Sequence, residues 1–256
     1  MMAARALVIA AGLIAAWQAA VWLAQPPPFI LPGPIAVAGA AFNHGGEIAR
    51  HGLVTLVEIV LGLLLGAAFG AASALVMVYF QPVRRWLMPL LVVSQAIPVF
   101  ALAPVLVLWL GYGLASKVAM AVLIIYFPVT ATFYDGLRRT DPGWLDLART
   151  MNASPLAVLL RIRVPAALPA CASGLKVAAA VAPIGAVVGE WVGSGAGLGY
   201  LMLHANGRMQ IDLMFAALAA LALIAVVLYF AVDRGARWLI PWQPDQGPTE
   251  TARYRQ

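Results

Sequence analysis

Charge is what this sequence has least of. Asp, Glu, Lys and Arg together make up 10% of its 256 residues, against about 25% in soluble domains, while 63% are hydrophobic and the mean hydropathy is +0.91. A water-soluble fold has no means of hiding that much apolar surface, and no hydrophilic stretch is long enough to build a separate core. The single cysteine, Cys171, lies in an apolar run, which excludes a disulfide framework and a thiolate metal site. Only two lysines occur, Lys117 and Lys176, and neither follows a glycine. The phosphate-cradling G-x-x-x-x-G-K-[ST] loop is therefore missing, and this chain holds no ATP or magnesium site of its own. No nucleophile, base and orienting group form a catalytic set. His44, His51 and His204 are too scattered for a metal site, and each reads as a solvated loop residue. The net charge of +6 comes from basic residues spread between apolar segments without aromatic interleaving, which argues against nucleic acid as a partner and for the lipid bilayer.

What the chain does have is long apolar runs. Crossing the hydrocarbon as a helix takes about 20 apolar residues, and the stretches 6–24, 53–80, 86–110, 116–134, 166–188 and 213–232 meet or approach that length. They predict one all-α membrane domain over 1–242 with six spans, its core at about 50–240, and a polar, flexible tail at 243–256. The third stretch contains Pro89, Pro98 and Pro104, which a membrane helix accepts when its neighbours satisfy the freed carbonyls. The first resembles a signal peptide in following Arg5, but its length and the interfacial anchors Trp17 and Trp22 favour a retained helix. The Pro/Gly-rich linker 25–52 then lies outside.

Positive loops stay in the cytoplasm, so orientation follows from the arginines and lysines. With the N-terminus inside, the inner set is Arg5, Arg84, Arg85, Arg138, Arg139, Arg149, Arg161, Arg163, Arg234, Arg237, Arg253 and Arg255. The outer set is Arg50, Lys117 and Arg208, and Lys176 falls within the fifth span. Twelve against three places both termini in the cytoplasm.

The sizeable inner loop, 137–165, carries its own helix punctuation. Asp141 is a good N-cap and Pro142 suits the first helical position, with helix over 144–151. Asn152 fits a left-handed position after that helix. Ser154 and Pro155 repeat the start signal, and Pro165 is expected to stop the second helix.

At these residues a resemblance becomes specific. Permeases of the binding-protein-dependent ABC importer family carry a loop motif E-A-A, three residues, G, nine residues, I-x-L-P. Here Asp146, Leu147 and Ala148 are followed by Asn152, Ala153, Ser154 and Pro155, then by Ile162, Arg163, Val164 and Pro165 at the same spacing. Asp replaces Glu, Leu replaces the first Ala, Asn replaces Gly and Val replaces Leu. Ile30-Leu31-Pro32-Gly33-Pro34-Ile35-Ala36-Val37 is similar to a segment of nitrate, taurine and sulfonate permeases, and Glu190 with Gly197-Leu198-Gly199-Tyr200 is similar to the family's E-x-x-x-x-x-x-G-L-G-Y. The resemblance implies a type I importer permease in a bacterial inner membrane. Its loop helices would couple to two ATP-binding cassette subunits that hold ATP and magnesium. A periplasmic solute-binding protein would deliver cargo, and a second permease copy would complete the pathway.

Other residues stay open. Gly62, Gly66 and Gly70 form overlapping G-x-x-x-G steps that serve either a dimer seam or packing within the chain. Gln95, Pro98 and Pro104 line a pathway or pack between helices. An ionisable residue within a span costs about 2.5–3.5 kcal/mol at the bilayer centre, so Glu58, Lys176 and Glu190 need explaining. Lys176 is expected to snorkel, Glu190 to be half solvated at the outer boundary, and Glu58 to stand near the outer mouth and repel anions. Sulfonate and nitrate permeases commonly have Arg where Glu58 stands. The Glu and the run Ala182-Pro183-Ile184-Gly185-Ala186-Val187-Val188-Gly189-Glu190-Trp191 look more like permeases for thiamine-precursor pyrimidines. The alternatives are a sulfonate, taurine or nitrate permease and a proton-coupled secondary transporter using Glu58 or Glu190.

Overall fold

The structure, a computed structural model, describes residues 2–242, with side chains from Val8 onward. The expected tail 243–256, including Arg253 and Arg255, lies outside the described residues, as does the side chain of Arg5. All regular elements among the described residues are helical: α1 (Met2–Ala24), α2 (Pro34–Asn43), α3 (Gly45–Tyr79), α4 (Gln81–Ala96), α5 (Val99–Leu110), α6 (Leu114–Arg138), α7 (Pro142–Thr150), α8 (Pro155–Val158), α9 (Val164–Gly193), α10 (Leu198–Gly207) and α11 (Ile211–Leu239).

Four of the six expected stretches are continuous helices, α3, α6, α9 and α11, each long and apolar enough to cross a bilayer. The first stretch is the 23-residue α1. The third is not one helix but the pair α4 and α5, broken at Ile97–Pro98, and the two count as a fifth span only if taken together. Pro98 has no N–H to continue the ladder and disfavours helical backbone at Ile97, so the chain restarts there with Pro98 as N-cap of α5. Pro89 and Pro104 stay inside their helices. Two helices were not legible beforehand: α2, which starts at Pro34 inside the expected linker, and α10.

The chain forms two compact units, one from residues up to 64, 97–124 and 181–226, the other from 65–96, 125–180 and 227 onward. In the first, Val37 and Ala40 of α2, Ile48 of α3, Leu198, Leu201 and Ala205 of α10, and Leu213, Ala216 and Ala217 of α11 bury one apolar core. Trp17 stacks on Phe215 at 5.9 Å and belongs to this packing rather than anchoring an interface, while Trp22 is exposed. Gly62 is buried against Ala121 of α6, where a Cβ would overlap the alanine side chain. Gly185 brings α9 equally close to α6, since a Cβ there would lie 2.7 Å from the Ala121 Cα.

In the second unit, Ala74 and Met77 of α3, Leu91 of α4, Phe133, Tyr134 and Leu137 of α6, and Ala167 of α9 form the core with Leu159. Gly70 faces Val129 and Thr130 of α6 at 3.1 Å from its would-be Cβ, so Gly62 and Gly70 both serve contacts within this chain. Gly66 is buried between them in sequence. Lys176 Nζ reaches Asp233 Oδ1 on α11 at 2.5 Å, and Arg237 Nη2 holds the other oxygen at 2.9 Å, so the lysine is paired with an acid next to the expected inner residues Arg234 and Arg237.

Candidate functional site

The loop motif forms a hairpin whose ends are set by its own side chains. Asp141 Oδ1 accepts from the Gly143 N–H at 2.6 Å, with Pro142 at the first helical position of α7. Asn152 has φ +58. Its N–H donates to the Arg149 carbonyl at 2.9 Å and that of Ala153 to the Ala148 carbonyl at 3.0 Å, the paired closure of a Schellman turn. Ser154 Oγ then accepts from the Ala157 N–H at 3.3 Å, and Pro155 begins α8.

Pro165 does not stop the chain as expected. Residues Leu159–Arg163 form a π-helical turn that leads directly into α9, so 155–193 runs as one helical stretch. The wider turn shifts the hydrogen-bond ladder and accommodates a ring that lacks an N–H.

The hairpin's surface is apolar as well as capped. Trp144 and Leu147 on α7 and Met151 at its C-cap are 55%, 61% and 74% exposed at one-turn spacing, whereas Ala148 is buried. With Val158, Ile162 and Pro165 they border a groove of about 590 Å³. Asp146 is exposed and pairs with Arg149 of its own helix at 2.7 Å.

A second cluster lies in the first unit and is buried. Glu190 is 1% exposed, not half solvated. Its Oε1 accepts from Thr55 Oγ1 at 2.6 Å and its Oε2 from the Gly199 N–H at 2.5 Å. The Leu198 N–H donates to Thr55 Oγ1 at 2.8 Å and the Gly197 N–H to His51 Nδ1 at 2.9 Å. Three consecutive amides at the start of α10, which a helix leaves without internal partners, are thus satisfied by side chains from α3 and α9. The glycines follow from this geometry: Gly197 has φ +114, and a Cβ on it would overlap the Glu190 carboxylate, while one on Gly199 would lie 2.8 Å from Oε2.

Beside this cap, Glu58 is fully buried and accepts from Lys117 Nζ at 2.8 Å. Its carboxylate also faces that of Glu190, and its Oε2 has no donor among the described residues. Lys117 is therefore no outer-loop residue. It sits in α6 with a side chain 9% exposed, which removes it from the expected outer set of Arg50, Lys117 and Arg208. Gly189 lets α9 approach this lysine, a Cβ there falling 3.0 Å from the Lys117 Cα. The expected free negative charge at the mouth is thereby cancelled, because Glu58 is both sealed and paired.

Glu58 and Glu190 are brought together but closed off from solvent, whereas Gln95 and Pro98 are exposed at the break between α4 and α5. The histidines are not scattered in space. His44, His51 and His204 line one cavity, and His51 is buried, yet no group of three metal-ligating side chains forms among the described residues. Thr55 has no role in the sequence reading, and His51, expected as a solvated loop residue, is instead buried within α3. The available signal was a Thr three residues before an intramembrane Glu.

Comparison with known proteins gives a consistent result. The family profile described as binding-protein-dependent transport system inner membrane component matches residues 59–243. A probable ABC transporter permease of Haemophilus influenzae is 58% identical over 91% of this chain and 94% of its own length. A formylaminopyrimidine transport permease of Halalkalibacterium halodurans is 38% identical over 86% and 88%, and a riboflavin transport permease of Chloroflexus aurantiacus 36% identical over 90% and 87%. A chain of the inward-facing MetNI methionine ABC transporter superposes with a TM-score of 0.67 at 19% identity, covering 77% of this chain and 98% of that one.

Proposed function

This chain belongs to the binding-protein-dependent transport system inner membrane components, the permeases of ABC importers, and from that premise we propose that it passes a small planar nitrogen heterocycle, a thiamine-precursor pyrimidine first of all. The observation carrying the cargo reading is that its relatives named for formylaminopyrimidine and riboflavin transport, both flat heteroaromatics, match over most of its length at 38% and 36% identity. The same observation makes riboflavin the second reading. Glu58 paired with Lys117 presents no free negative charge to repel a sulfonate. Family membership sets aside a proton-coupled secondary transporter.

The mechanism follows from what each part can do. The permease lies in the inner membrane with both termini in the cytoplasm, pairs with a second copy, and is served by two ATPase subunits and a periplasmic solute-binding protein. The hairpin of α7 and α8 is the handle. Proline starts, side-chain caps and a left-handed Asn152 make it stiff, and Trp144, Leu147 and Met151 give an ATPase groove an apolar face to grip. Closure of the ATPase pair on nucleotide then moves the hairpin, and α9, continuous with it, carries the displacement into the membrane. Gln95 and Pro98 are the pathway candidates. The chain itself performs no chemistry.

Reconstituted complex in proteoliposomes, supplied with its solute-binding protein and ATP, tests the cargo. Accumulation of a formylaminopyrimidine supports the reading and accumulation of riboflavin supports the second. Uptake confined to taurine or alkanesulfonates overturns both.

A further inference from the structure

The cavity that gathers the three histidines has a use that the buried cap does not explain. It is about 270 Å³ in volume, walled by Arg50 and His51 of α3, Tyr200 and His204 of α10, Arg208 just beyond, and His44 before α3. That is below the roughly 300–1,000 Å³ of pockets for drug-sized ligands and is ample for the end of a side chain.

Its charge is unbalanced. The only acidic lining residue, Glu47, is engaged by His44 Nδ1 at 3.2 Å. Arg50 and Arg208 are exposed and have no carboxylate partner among the described residues.

The walls are also rigid. His51 stacks on Tyr200 with ring centroids 5.8 Å apart, and Tyr200 meets His204 at 4.0 Å. The backbone that carries Arg208 is held by a closed turn: Met209 adopts φ +59, its N–H donates to the Asn206 carbonyl at 3.0 Å, and the Gln210 N–H donates to that of Ala205 at 2.9 Å. The turn sets where the Arg208 side chain leaves the backbone, at the rim of the cavity.

We propose that this cavity is a socket for an Asp or Glu side chain on the permease-facing surface of the solute-binding protein. Two unpartnered guanidiniums in a small, preset recess match one carboxylate, which each can take bidentately. The socket is joined to the fold's interior, because its His51 wall accepts the Gly197 N–H of the cap that Glu190 completes. Docking is thereby registered at the start of α10. The proposal rests on the outward orientation of Arg50 and Arg208 and on the importer reading above.

The test uses the full permease with its ATPase in phosphatidylcholine nanodiscs. ATP hydrolysis is followed as solute-binding protein is titrated, each variant being normalised to its own activity without that protein. Arg50→Glu and Arg208→Glu are each expected to raise the half-stimulating concentration about tenfold or more. Salt should weaken the wild type severalfold between about 0.05 and 0.3 M and should not weaken the Arg50→Glu/Arg208→Glu double variant, whose repulsion from the carboxylate salt screens. Changing one acidic residue of the binding protein to Lys should restore stimulation of Arg208→Glu, which a variant damaged in folding would not show. Stimulation of the charge-reversed variants at wild-type concentration overturns the socket. So does an effect that appears only when phosphatidylglycerol is added, which would make the occupant a lipid headgroup. Failure of any solute-binding protein to stimulate even the wild type would instead bring down the importer reading itself.

Discussion

Replacing Lys117 by Met removes, among the described residues, the cation paired with the fully buried Glu58 carboxylate. Among those residues Glu58 Oε2 already lacks a donor, Oε1 would lose its own, and the Glu190 carboxylate stands alongside. Breaking a buried pair from one side costs about 3–5 kcal/mol, because the remaining charge is left without compensation. At about 2–4 °C per kcal/mol for a chain of this size, the apparent melting temperature should fall by roughly 6–20 °C. Glu58→Leu combined with Lys117→Met replaces the pair with apolar groups and should recover most of the loss, since neither charge then needs a partner. The assay is a double-mutant cycle on detergent-purified protein, heated in steps and scored by the monodisperse peak remaining. A coupling of about 3 kcal/mol or more is expected from the cycle. The reasoning fails if Lys117→Met melts within about 2 °C of the wild type, or if the double variant melts as low as the single one.

Gly197→Ala should destabilise the fold by about 2 kcal/mol or more, because φ +114 is strained for alanine and its Cβ meets the Glu190 carboxylate; the same heating assay reads it. Asn152→Gly should keep ATPase-driven uptake, whereas Asn152→Val, which resists positive φ, should leave the chain in the membrane with uptake reduced tenfold or more. Leu147→Asp places a charge on the exposed apolar face of α7 and should abolish co-purification of the ATPase without lowering the melting temperature of the permease alone.

The parts that sequence reading reached are those whose cause is local. Asp141 before Pro142, and Ser154 before Pro155, announce helix starts within three residues, and Asn152 takes the left-handed conformation that its short polar side chain tolerates. Apolar length likewise located α3, α6, α9 and α11. The misread charged residues have partners far along the chain. Lys117 reads as a loop residue and Glu58 as an open-mouth charge because nothing near either one announces a bond across 59 positions. Glu190 reads as wet because its donors come from Thr55, 135 positions away, and from a helix start at Leu198 that no local signal marks. Pro165 misled for a different reason: a π-helical turn has no composition of its own, so the rule that proline ends a helix had no visible exception.

The Glu58 to Lys117 contact also sets a timetable for biogenesis. The acidic segment leaves the ribosome first, and its counterion follows 59 residues later, a delay of about 3–12 s at 5–20 residues per second. During that interval α3 carries a solitary acid that costs about 2.5–3.5 kcal/mol at the bilayer centre, a cost the apolar remainder of the helix bears until the basic helix arrives and discharges it.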